Sequence, residues 1–149
     1  SISVIASITA DYGQRVYNFR LNYESDGENG LITVLEPESI AGAAVEIVDS
    51  ASTLTFQGTR VYTGEILPDG LSPVDSLPAM VSACRQGLAT QVFREDWENT
   101  ACLCAVFIIS EDVELRVWFD EAARLPLHSE FSFQGYTVIT CDFDNISAQ

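Results

Sequence analysis

A two-residue alternation of apolar and polar side chains runs through most of this chain, and it leaves room for little besides antiparallel sheet. It is clearest at residues 15–24. There Tyr17, Phe19, Leu21 and Tyr23 fall on one side, and Val16, Asn18, Arg20 and Asn22 on the other. Successive side chains of a strand point to opposite faces, so a segment of this kind buries one face only. The same period recurs at residues 3–10, 31–36, 44–48, 53–56, 90–97, 102–109, 113–119, 127–133 and 136–143. The connections are short and polar or carry glycine: SDGENG, ENTA, SED and QG. Residues 3–36 therefore predict a three-stranded meander, and 44–56 a hairpin. PESIAG at 37–42 reads as a break of one helical turn, and GTRVYTGEI carries the chain on. About ten strands are expected in all.

The period changes once, in LSPVDSLPAMVSACRQG at residues 71–87. Ser72 suits an N-cap, Pro73 the first helical position, and Asp75 the first turn, where the helix dipole favours an acid. Leu77, Met80, Val81, Cys84 and Leu88 recur at helical spacing, and Gly87 fits the stop. One apolar stripe means one packed face, so this helix should lie on a sheet.

Charge narrows the partners. Twenty-two acids face seven arginines and no lysine, a formal net charge of −15. Such a surface repels nucleic acid and anionic membranes. The acids cluster at expected turns and strand ends (Glu24, Asp26 and Glu28; Glu95, Asp96 and Glu98; Glu111, Asp112 and Glu114), as solvated loops would place them. No apolar run approaches the ~20 residues of a bilayer-spanning helix.

Nothing in the sequence assembles a catalytic group. The single histidine, His128, alternates to the side away from Leu127 and Ser129 and is expected to point outward. There is no Gly-rich phosphate loop and no H-E-x-x-H. DFDN at 142–145 begins a calcium-loop spacing but lacks its glycine and distal glutamate. A zinc site would need Cys84, Cys102, Cys104 and Cys141 together. Buried free thiols are the plain reading, and a disulfide from Cys84 to a strand cysteine the alternative. No cofactor is implied.

The architecture itself suggests a function. A sheet of ten strands twists and curls. One helix covers only part of its inner face, which Phe19, Tyr23, Phe56, Phe119 and Phe131 make apolar. A further helix, a partner or an apolar ligand must cover the remainder, unless the sheet fills its own interior.

Three stretches carry a family resemblance. VWFDEAARLPLHSEFSFQGYTVITCDFDNI at 117–146 resembles the closing strands of lipoprotein carriers of the LolA/LolB type. In those, a Trp-Phe-Asp strand end leads through a Leu-Pro turn, a strand and a Gly turn to the last strand. VLEPESIAG and LTFQGTRVYTGEI resemble secreted lipoproteins of the same superfamily, Gram-positive ones especially. The resemblance implies an α+β domain over 1–149, mostly antiparallel β. It would be a strongly curved half-barrel sheet with at least one helix on its concave face. It also implies a non-catalytic cell-envelope protein that holds an acyl chain, a lipid or a lipidated protein. Tyr17, Phe19, Leu77, Met80, Val81, Phe119, Phe131 and Phe133 would line the groove. The family's long first helix has no counterpart here, so the resemblance places it, with a signal and a lipid anchor, upstream of Ser1. An apolar face left bare by that helix would favour a homodimer. The competing expectation is a surface-tethered protein-interaction or sensor module with a filled core and no ligand.

Overall fold

The computed structural model describes residues 1–65 and 70–148, without the side chains of 62–65 and 148. Among them are eleven strands: β1 (Ile2–Asp11), β2 (Val16–Ser25), β3 (Gly30–Glu36), β4 (Ala44–Val48), β5 (Ala51–Phe56), β6 (Thr59–Glu65), β7 (Gln91–Trp97), β8 (Thr100–Ile108), β9 (Val113–Asp120), β10 (Pro126–Phe133) and β11 (Tyr136–Ala148). One α-helix, α1 (Pro73–Gln86), stands between β6 and β7. A 3₁₀ turn, Glu38–Ile40, fills the break in PESIAG. The count exceeds ten because Thr59–Glu65 is a full strand, paired along its length with β5.

All strands belong to one antiparallel sheet in the order β6-β5-β4-β3-β2-β1-β11-β10-β9-β8-β7. Two meanders, β1–β6 and β7–β11, meet where β1 pairs with β11 from Ile2↔Ala148 to Ala10↔Ile139. The first and last strands are thus central, and β6 and β7 are the free edges. The helix is the link from one edge to the other.

That link requires the sheet to curve. Ile47 on β4 and Ile108 on β8 line one groove beside α1. Seven inter-strand steps separate β4 from β8. At about 4.8 Å each they would stand about 34 Å apart on a flat sheet. The sheet is therefore wrapped around the helix as an open half-barrel. Twist of roughly 20–25° per step turns β8 through roughly 140–175° relative to β4.

The core fills the concave side. Val4, Ala6, Ile8 and Ala10 of β1 are buried, with Leu21, Tyr23 and Ile32 to one side and Ile139, Phe131, Leu115 and Val117 to the other. Leu77, Ala79, Met80 and Val81 of α1 close over them. Alanines at 6 and 10 let the helix lie close over β1, the strand it approaches most.

The helix ends follow the sequence signals. Ser72 is the N-cap, its Oγ accepting the Asp75 N–H at 3.1 Å and donating to Asp75 Oδ2 at 2.8 Å. Gly87 ends the helix in the left-handed region, φ 66°. Leu88, expected in the buried stripe, lies beyond that turn and is 74% exposed. The reversal at Gly87 carries it off the helical face.

Candidate functional site: a groove between helix and sheet

Where the curved sheet passes the last turns of α1, its two halves stay apart and leave an open groove of about 590 Å³. Its floor is apolar: Tyr23 of β2, Ile47 of β4, and Ala79 and Val81 of α1, all buried. Ile108 and Ile109, at the end of β8, form the opposite wall, with Ile108 56% exposed. The rim is polar, with Ser25, Glu28, Asn29, Ser50, Ser82 and Arg85. A concave apolar floor with a few polar groups at the mouth is the usual form of a small-ligand site, and the volume lies in the usual range.

The rim is built by local hydrogen bonds. Asp26 Oδ1 accepts the N–H groups of Glu28 and Asn29, each at 2.8 Å, which folds the β2–β3 turn. These bonds hold the Asp26 carboxyl below its usual pKa. Gly30 opens β3 under the Tyr23 ring, where a Cβ would stand 2.9 Å from a ring carbon. Across the mouth, Arg85 Nη1 donates to the Gly27 carbonyl at 3.4 Å. Four other arginines, Arg20, Arg60, Arg94 and Arg116, face carboxylates within salt-bridge distance.

The eight residues expected in a groove occupy three places. Leu77, Met80, Val81 and Phe131 are buried in the packed layer between helix and sheet, and of these Val81 reaches the groove. Phe19 and Phe119 are half-buried against the same core. Tyr17 and Phe133 are each 40% exposed near the β1–β2 and β10–β11 turns. The Tyr17 ring lies between Tyr12 and Phe19, at centroid distances of 6.2 and 6.4 Å. The groove's other lining residues, Tyr23, Ile47, Ile108 and Ile109, lie outside the set expected from the sequence. Alternation marks each as facing inward or outward, but only the wrap of the sheet brings β4 to β8.

The remaining chemistry-bearing residues are engaged elsewhere. His128 is on the outer face, away from Ser129 as alternation implies, but Leu127 packs on that face too, beside a register shift between Pro126 and His128, and the histidine is only 2% exposed. Its Nδ1 lies 2.8 Å from Asp142 Oδ1 and its Nε2 2.8 Å from Glu130 Oε2. With both nitrogens so occupied, the ring is not free to take a proton from an external substrate. Of the calcium-like DFDN, Asp142 thus serves His128 and Asp144 pairs with Arg20, both on strand β11. All four cysteines are free. Cys102 and Cys104 face outward while Cys84 is on the helix over the inner face, so the sheet itself separates those thiols. Burial pushes Cys84, Cys104 and Cys141 up to about 11.

A scan against protein-family models and a search of curated proteins each find no match. The fold does match solved structures. An uncharacterized conserved protein from Thermus thermophilus aligns at a TM-score of 0.58 and 9% identity, over 99% of this chain and 78% of that one. Lipoprotein LppX of Mycobacterium tuberculosis aligns at 0.52 and 8% identity, over 99% and 87%. A LolA superfamily protein from Nitrosomonas europaea aligns at 0.51 and 13% identity, over 100% and 86%. The chain therefore has a LolA-like fold.

Proposed function

We propose that this chain is a non-catalytic binding protein of the cell envelope, and that it takes the acyl part of a lipid or lipidated protein into the groove beside α1. The groove with its apolar floor carries this reading: a sheet wrapped around one helix leaves an accessible apolar surface large enough for part of an acyl chain. The likeness in fold to a LolA superfamily protein and to a lipoprotein supports it, as does the engagement of His128 by two carboxylates. Val81 would touch the ligand, with Leu77, Met80 and Phe131 forming the wall behind it. Tyr17, Phe19, Phe119 and Phe133 would come into use where a longer ligand runs beyond the groove. An extracytoplasmic location, with a lipid anchor outside this sequence, belongs to the same reading, as does pairing of two copies through apolar surface left bare.

The test is native mass spectrometry of detergent-free protein after incubation with phospholipid or a lipopeptide. Near-stoichiometric adducts are expected, and Ala83→Trp, which sets an indole on the groove wall, should remove them while leaving the melting temperature within a few degrees. A clean apo mass for the wild type would overturn the reading. It would favour the alternative of a filled scaffold that meets a protein partner through its surface.

A further inference from the structure

The proposed groove uses the concave side, and the outer face carries a second packed cluster with no part in it. Outer faces of open antiparallel sheets are usually polar and solvated. Here Cys102 and Cys104 of β8 and Trp118 of β9 are buried, with Phe93 and Trp97 of β7 and Leu127 of β10 packed against them. His128 lies at the centre. The Trp97 ring stacks on it at 3.9 Å and 15°, and Trp118 tilts against it at 5.2 Å.

The two carboxylates decide the protonation state. An ionised carboxylate only accepts, and a neutral imidazole has one N–H. With a neutral ring, either Asp142 or Glu130 would set lone pairs against a lone pair at 2.8 Å. The imidazolium alone satisfies both. Burial pulls the ring toward the neutral form, but the hydrogen bonds and charges of Glu130 and Asp142 outweigh it and raise its pKa above the ordinary 6.5.

Neighbouring strands add further charges. On β7, Glu95 accepts the Trp118 indole N–H at 2.9 Å. On β9, Arg116 stands in register with Glu130 but bonds Glu114 at 3.0 Å, and Asp120 of β9, with Asp96 of β7, acts on Cys102. β8 presents the thiols of Cys102 and Cys104, both raised by burial. Beyond Asp142, Ser7 of β1 and Arg20 of β2 continue the row, and Arg20 is paired with Asp144.

We propose that His128 is a proton-operated latch that fastens the β7–β8 edge hairpin to the middle of the sheet. β7 pairs only with β8, yet Trp97 at its end reaches over β8 and β9 to lie on His128 of β10. While the ring is protonated, it is a cation on the face of Trp97 and is tied to β10 and β11 by its carboxylates. When the proton leaves, one carboxylate contact turns repulsive, the stack loses its cation, and the edge hairpin loosens. A folded-state pKa above the unfolded value gives stabilisation that is complete below that unfolded value and is lost as pH rises through the folded one.

The chain has one histidine and two tryptophans, all in this cluster. The full chain would be titrated from about pH 5 to about pH 10, following the His128 imidazole by NMR, tryptophan emission and the melting temperature. The imidazole and tryptophan signals should share one midpoint above 6.5, with the melting temperature falling through the same window. Asp142→Asn should lower the midpoint by about one unit. His128→Gln should abolish the fall in melting temperature across that window. A midpoint at or below 6.5, tryptophan emission indifferent to the histidine, or an undiminished fall in His128→Gln would each overturn the proposal. Should His128→Gln not fold, the wild-type midpoint and its shift in Asp142→Asn decide.

Discussion

Gly70 stands just before the helix in the left-handed region, φ 72°, beneath the buried ring of Phe131. An added Cβ would meet three ring atoms well inside van der Waals contact. Gly87, at the other end of the helix, has nearly the same φ, 66°, but nothing within 4 Å of where its Cβ would be. The pair separates two costs that usually come together. Gly87→Ala should show the left-handed penalty alone, about 1 kcal/mol. Gly70→Ala should add overpacking of about 1–3 kcal/mol, because a ring 0% exposed has no free direction in which to move. For a chain of this size each kcal/mol moves the melting temperature by about 2–4 °C. Gly87→Ala should therefore lose about 2–4 °C and Gly70→Ala about 4–16 °C, read by calorimetry or far-UV circular dichroism. Combining Gly70→Ala with Phe131→Leu should cost less than the sum of the two singles, since the smaller side chain makes room for the new methyl. Equal losses for the two glycine variants, or strict additivity in the double variant, would refute the packing argument.

Two further outcomes follow from described contacts. Ser72→Ala removes the cap on the Asp75 N–H and should cost about 1 kcal/mol, seen as a melting temperature about 2–4 °C lower. At pH near 8 the folded protein should react only slowly with a thiol–disulfide reagent, because burial raises Cys84, Cys104 and Cys141 to about 11 and also raises Cys102. Four thiols should appear at once in denaturant, and fewer than four would contradict the free-cysteine assignment.

Local features were legible because local physics sets them. Alternation located the strands, and Ser72, Pro73 and Gly87 bounded the helix to within a residue or two. The meander of β1–β3 followed from short turns. What the sequence pattern does not carry is the pairing of β1 with β11, which joins residues more than a hundred positions apart. Nor does it carry the curvature that brings Ile47 to Ile108. Periodicity assigned His128 its face correctly, but burial on that face depends on Trp97 arriving from three strands away. The same limit applies to the groove: Val81 could be read from the helical stripe, whereas its opposite wall could not. Phe133 and Tyr17 alternate inward as expected, yet they stand close to the ends of their strands, where the core no longer covers them.

The central position of the first and last strands has a consequence for the order of assembly. Of the strands in this sheet β1 is made before the rest; it can pair with β2 as soon as that strand exists, but its other edge stays bare until β11 has been made. For that interval the nascent chain offers an unpaired row of N–H and C=O groups beside Val4, Ala6 and Ile8, the arrangement that invites pairing with another chain. Closing the centre brings together contacts of the longest sequence separation the chain contains, which places folding toward the slow end for its size. A chain halted before residue 136 would hold a complete β1–β6 meander and helix but no strand to cover β1.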